Sequence, residues 1–381
     1  MTKEQNKEQM ENNTEINIQM IEKIDITKKN ELQRGEVKNN STLYITYLNV
    51  LACFAVVALH VNGVFWSFTK SGTWLSANFL ECLFYFAVPI FFMCSGATLM
   101  NYRERYNTKQ FFVKRVKKTV VPYLIWSCIS LLLGYFLYKT ITYELITDFR
   151  WIISGFLNGG IESVYWFFIP LFAFYLCIPL LSLISPNDEE KRKSVLKYII
   201  IVGFIVNMCL PLLFNLLKIN FSMNVFVVSG YVIYGLLGFY ISKYNIEKRW
   251  RIVFYIVGIL GFLIHFFGTW GLSYKIDMVD STFKGYLNVP CFVYSMAIFL
   301  LFRNINFERL NKNFTKIVKW VASATFGIYL IHMNLLKLLN HFLITSSIWF
   351  RTIGVVVVFA VCVLIVKLIQ LIPKVGKIIL P

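Results

Sequence analysis

The chain has 381 residues, of which 57% are hydrophobic and only 15% charged, with 36 Phe and 21 Tyr. That balance excludes a water-soluble globular domain and indicates an all-α, polytopic membrane protein. The net charge of +18 would suit nucleic acid in a soluble protein, but basic residues gather on the cytoplasmic side of membranes, so the charge is read against topology first.

Residues 1–40 are rich in Glu, Lys, Asn and Gln and hold no apolar run. They can form neither a signal peptide nor a packed core, and a disordered or weakly helical cytoplasmic tail is expected ahead of a membrane domain over 41–381. Apolar runs of near-spanning length fall at 44–62, 78–100, 119–138, 164–185, 195–217, 224–242, 252–270, 285–302, 317–337 and 348–373 and predict a bundle of ten transmembrane helices. Alternating the loops between sides puts most of the 38 Lys and Arg with the two termini, which are therefore expected in the cytoplasm. Arg103–Lys118, Lys191–Lys197, Lys243–Arg251 and Arg303–Lys319 face the same way. Topology thus accounts for the excess charge; the expected partner is the lipid bilayer, not nucleic acid.

The first run carries Asn49 and His60. Eleven residues at about 100° each return to within about 20° of the same helix face, so the two share a stripe three turns apart. Asn49 either lines a path toward His60 or bonds a neighbouring backbone. The second run contains Phe86-Ala87-Val88-Pro89-Ile90-Phe91-Phe92-Met93-Cys94-Ser95-Gly96. Pro89 removes a backbone hydrogen bond and should kink that helix, while Ser95 and Gly96 permit close helix approach or a polar contact. Glu81, in the outer part of the same helix, is the acid best placed to orient a histidine, or else an interfacial residue. Before the third run, Lys114-Arg115-Val116-Lys117-Lys118 is either a topology signal or a set of cations for the phosphates of a nucleotide-type donor. The segment 139–163, with Trp151, Gly155, Asn158, Gly159, Gly160 and Glu162, reads as a surface loop or a short re-entrant element over a cavity.

The ninth run carries His332. With both termini inside, His60 and His332 fall in the outer part of the membrane, where they could share one pocket. Ionisable groups at that depth are costly and are kept mainly at polar cavities or reaction sites. An imidazole can take a proton from a hydroxyl at neutral pH; the plainer role is a hydrogen bond to a neighbouring helix. His265 fits that structural role, and His341 an interfacial one. All eight cysteines lie in apolar segments without zinc-ligand spacing, so neither disulfides nor a metal site is expected.

At these residues the chain resembles acyltransferase family 3, integral membrane proteins that transfer acyl groups, usually acetyl, to extracytoplasmic sugars and envelope glycopolymers. The resemblance covers about residues 44–373. It rests on the segment ending in His60, on Val88-Pro89-Ile90-Phe91-Phe92-Met93-Cys94-Ser95-Gly96, and on the basic run before Pro122-Tyr123-Leu124-Ile125-Trp126. Trp166-Phe167-Phe168 leading to Tyr175-Leu176-Cys177-Ile178-Pro179-Leu180-Leu181 and Ser323-Ala324-Thr325-Phe326-Gly327-Ile328-Tyr329-Leu330-Ile331-His332 complete it. The chain departs in three places: Asn49 stands where the family has Arg, Lys118 replaces the second Arg of a basic pair with Arg115, and Val164 stands where many members have His.

The resemblance implies a bacterial plasma-membrane O-acyltransferase that uses cytoplasmic acyl-CoA, most often acetyl-CoA, as donor substrate and holds no permanent cofactor. The acceptor is a hydroxyl of a surface polysaccharide or glycolipid. His60 is then the catalytic base, Arg115 and Lys118 bind the donor, and Asn49, Glu81, Ser95, Trp166, Tyr329 and His332 support the pocket. Two rivals stand beside this reading: a non-catalytic transporter or flippase of lipid-linked sugar, and an inactive family member acting as a membrane partner or sensor.

Overall fold

The computed structural model describes residues 43–340, 347–373 and 375–380. The expected tail at 1–40 and His341 lie outside the described residues. Among those described there are helices and turns and no strand, as an apolar solvent requires when every backbone polar group must be satisfied within its own segment.

Each apolar run falls on helix. The first is α1 (Leu43–Val61). The second is divided into α2 (Gly72–Phe84) and α3 (Ala87–Leu99). Next come α4 (Thr108–Phe136), then α5 (Phe149–Asn158) within the 139–163 segment, and α6 (Phe168–Leu181), entered through a 3₁₀ turn, Ser163–Phe167. These are followed by α7 (Glu189–Leu216), α8 (Val232–Lys243), α9 (Lys248–Ile276) and α10 (Val289–Asn304). The chain closes with α11 (Lys312–Ala322), α12 (Thr325–Asn340), α13 (Phe350–Gln370) and α14 (Val375–Ile379). Among the described residues seven helical segments are long and apolar enough to cross a membrane, eight if α11 and α12 count as one bent span.

The count of ten full spans is therefore modified in three places. The ninth run is not one straight helix: α11 and α12 meet at 61°. The carbonyl of Ser323 at the break accepts from Gln370 Nε2 at 3.1 Å, and its hydroxyl from Lys367 Nζ at 2.5 Å. The sixth run becomes helical only from Val232, because Ser229 and Gly230, with φ of +60°, end the preceding turn. The eighth starts at Val289, where Asn288 caps the helix and Pro290 occupies its first turn, a position that needs no amide hydrogen.

Proline shapes three helices. Pro89 cannot bond the Tyr85 carbonyl four residues back, and the helix breaks at Tyr85–Phe86, as its position predicts. The freed carbonyl accepts a hydrogen bond from Cys291 Sγ at 3.6 Å, and that of Leu83 one from Tyr294 at 3.2 Å. Ahead of Pro122 and Pro211 the chain instead widens into π turns, Val116–Val120 and Ile205–Cys209. There the amides of Val121 and Leu210 bond five residues back, to Val116 and Ile205. Such turns shift the faces of the residues around them.

Gly96 of α3 lies against the backbone of Gly235 in α8, and Gly238 against that of Met93, so a Cβ at either glycine would collide with main chain. This is the close approach expected from small residues in membrane helices. The loops gather at two ends. At one, Lys70 pairs with Asp277 at 2.5 Å and Tyr286 stacks on Trp166 with 5.7 Å between centroids. At the other, Lys243 pairs with Glu189 at 2.6 Å and Arg103 donates to Ser182 at 2.9 Å.

Candidate active site

Histidines 272 positions apart in sequence meet in space: the rings of His60, at the end of α1, and His332, in α12, lie 5.2 Å apart between centroids. Two hydrogen bonds tie α12 to the 3₁₀ turn. Tyr329 donates to the Val164 carbonyl, and Tyr165 donates to that of Leu330 at 2.9 Å. The second belongs to a buried chain in which Asn334 Nδ2 donates to Ser130 at 2.9 Å and the Ser130 hydroxyl reaches Tyr165 at 3.2 Å. Val164 thus contributes its backbone to the site, a role that needs no particular side chain.

The two imidazoles differ in surroundings. His332 is completely buried, and its Nδ1 lies 2.8 Å from the Tyr329 carbonyl and 3.1 Å from that of Ile328. A carbonyl only accepts, so Nδ1 carries the hydrogen and Nε2 offers a lone pair. That Nε2 is buried without a partner. His60 is half-buried and lines a cavity of about 280 Å3 with Ser67, Leu336, Asn340 and Phe350 at its end of the bundle.

A second cavity, of about 180 Å3, lies toward the other end and collects Asn49, Ser95, Thr119, Tyr175, Thr325 and Tyr329. The Tyr329 ring is 5.7 Å from that of His332, so His332 stands between the two cavities. The helical rise from Asn49 to His60 is about 16 Å. Asn49 and Ser95 therefore share a cavity, and the stripe read from the sequence connects one cavity with the other.

Arg115 adjoins this inner cavity. Its guanidinium sits 5.7 Å from the Tyr175 ring and 5.9 Å from that of Phe111, and its buried Nε has no hydrogen-bond partner. Lys118 does not converge with it: the π turn leaves Thr119 facing inward and Lys118 exposed. Glu81 does not orient a histidine. It is buried and bound to Lys284 at 2.6 Å, with the Lys284 ammonium 3.7 Å from the Tyr85 ring centroid and 4.9 Å from that of Phe65. Trp166 belongs to the neighbouring aromatic group of Tyr231 and Tyr286 rather than to the histidine pair. His265 packs edge-on against Tyr85 at 5.0 Å, and its buried Nε2 makes no hydrogen bond. The 139–163 segment forms the short helix Tyr143–Thr147 and α5, neither with a buried residue. Both helices lie on the surface and do not line the His60 cavity.

Sequence reading missed Lys284, Asn62 and Arg351. Arg351 is buried at the start of α13 and reaches Asn62 at 3.4 Å and Ser76 at 3.1 Å. The available signal was a cation inside or beside an apolar run, which charge counting by side absorbs without asking what it pairs with. All eight cysteines are free, and among the described residues no group of three or more His, Cys, Asp or Glu is arranged to hold a metal.

In comparison with known proteins, the family model of the acyltransferase domain, acyltransferase family 3, matches residues 42–367. No curated protein and no solved structure matches.

Proposed function

The chain belongs to acyltransferase family 3, and from that premise we propose that it transfers an acyl group, in our reading acetyl, from cytoplasmic acyl-CoA to a hydroxyl of an extracytoplasmic surface polysaccharide or glycolipid. The observation that carries this reading is the pair of cavities on either side of His332, one adjoining Arg115 and the other lined by His60. Donor and acceptor approach from opposite sides of the membrane and meet at the histidines. The side holding Arg115 is taken as cytoplasmic on the distribution of basic residues.

Arg115 draws the anionic donor to the inner cavity, and exposed Lys118 meets its phosphates at the membrane boundary. Ser95 and Asn49, in the inner cavity below the histidines, offer hydrogen bonds to the pantetheine arm of the donor, whose thioester end reaches on toward His60. The acceptor hydroxyl enters the outer cavity and gives its proton to His60 as its oxygen attacks the thioester carbonyl carbon. The carbon–sulfur bond then breaks, and the departing thiolate takes the proton back from the imidazolium. His332, whose Nε2 can only accept, faces His60 and favours the His60 tautomer that places a lone pair toward the hydroxyl. General-base assistance contributes about a hundred- to ten-thousandfold.

The test is transfer from radiolabelled acetyl-CoA to glycan acceptors by the purified protein in nanodiscs, wild type against His60→Gln. Transfer by wild type and its loss in folded His60→Gln protein is the expected result. Transfer retained by His60→Gln removes His60 from the mechanism. Labelled glycan absent even with wild type favours the transporter or inactive-member reading, to which Asn49 in place of arginine lends some weight.

A further inference from the structure

Apart from the histidine pair, the same end of the bundle holds a cavity system that the mechanism above does not use. A cavity of about 370 Å3 and another of about 290 Å3 share Met208, Pro211 and Leu287. Together they form one groove between the end of α7, the 221–230 segment and the 281–288 loop.

The groove is held in shape by the protein itself. Asn207, in the π turn ahead of Pro211, donates through Nδ2 to the carbonyls of Val225 at 3.2 Å and Val228 at 3.4 Å, and its Oδ1 accepts from the Val225 amide at 2.8 Å. On the facing wall Asn288 donates to the Thr282 carbonyl at 2.7 Å, while Lys284 anchors that loop to Glu81. A wall fixed before binding spares a ligand the cost of ordering it.

Its chemistry is narrow. No charged side chain lines either cavity, in a protein whose net charge is +18. Asn215, Ser222, Ser281 and Thr282 line the groove, and among the described residues none of these side chains is engaged in a hydrogen bond within the protein. Beside them lie Met208, Pro211, Leu287 and Phe221, whose ring stacks on Phe214 at 5.0 Å. An anion would call for cations here, a hard metal ion for carboxylates, and an acyl chain would leave the amides and hydroxyls unsatisfied. A neutral sugar satisfies both parts of the lining, exchanging hydrogen bonds with amides and hydroxyls while its C–H face lies on the apolar floor.

We propose that this groove is a docking subsite for neutral saccharide units of a glycan chain, separate from the hydroxyl that reacts at His60. It rests on the acyltransferase reading only in taking that glycan to be the acceptor. Binding itself does not require it.

The experiment is calorimetric and saturation-transfer NMR titration of the full-length protein in nanodiscs. The probes are neutral hexasaccharides of N-acetylglucosamine, glucose and galactose, with an anionic glycerol-phosphate hexamer as the contrast. At least one neutral hexamer is expected to bind. Asn215→Ala combined with Thr282→Val should weaken it about tenfold, the scale of two neutral hydrogen bonds. Gly285→Leu, where an added Cβ meets only the Asn288 Cβ at 3.7 Å, should fill the groove and block binding, whereas His60→Gln should leave it unchanged. Failure of every neutral hexamer, tighter binding of the anionic one, or indifference to the groove variants overturns the proposal. Transfer retained by His60→Gln would instead sink the acyltransferase mechanism while leaving the saccharide binding to stand or fall by itself.

Discussion

Two ionisable pairs are buried toward the same end of this bundle, and they are built in opposite ways. Glu81 and Lys284 are of opposite charge, 2.6 Å apart and shielded from solvent by Tyr85 and Phe65. His60 and His332 are alike, face each other without a bond between them, and keep one nitrogen unpartnered beside cavities on either side. Pairing ties the Lys284 ammonium to one Glu81 oxygen and makes a fastener, although the second Glu81 oxygen is buried without a partner. Burial without pairing leaves a lone pair for a substrate.

The contrast can be broken most forcefully at the histidines. His60→Gln should lower acyl transfer by about a hundred- to ten-thousandfold while thermal unfolding in detergent stays near that of wild type. An equal loss of stability would make His60 a packing residue. Lys284→Ala should do the reverse, stranding the Glu81 carboxylate at a cost of about 3–5 kcal/mol, read as a fall in unfolding midpoint and in yield. The double variant Glu81→Gln with Lys284→Met should recover much of that loss, because a neutral pair strands no charge; failure to recover would give the pair a role beyond fastening.

Smaller effects sharpen the boundary of the active region. Gly96→Ala puts a methyl against the Gly235 backbone and should cost about 1–3 kcal/mol through overpacking, measured by chemical unfolding. Tyr165→Phe interrupts the chain from Asn334 to the Leu330 carbonyl and should cost about 1 kcal/mol. If transfer falls much further than stability in that variant, the chain also sets the position of His332.

Much of the architecture was legible in the residues. Apolar runs of spanning length place the helices because a backbone in hydrocarbon has little choice but to bond within itself. Pro89 announced a kink in the second run, and Gly96 a close approach whose partner, α8, only the structure names. His60 and Asn49 could be put on one stripe by angle alone. The lengths of α8 and α10 were less legible, since hydropathy does not register a glycine at positive φ or an asparagine cap inside an apolar run.

What the sequence determined by itself is the all-helical membrane class, the place of most helices along the chain and the presence of histidines inside apolar helices, all consequences of hydrophobicity and local hydrogen bonding. Only the tertiary structure decided which polar groups meet. It set His332 between two cavities, gave Glu81 to Lys284 instead of a histidine, and turned Lys118 away from Arg115. Those outcomes depend on contacts between residues as far apart as 60 and 332, and on π turns that change which face of a helix looks inward. A one-dimensional pattern fixes the period of a helix but not the neighbour it packs against.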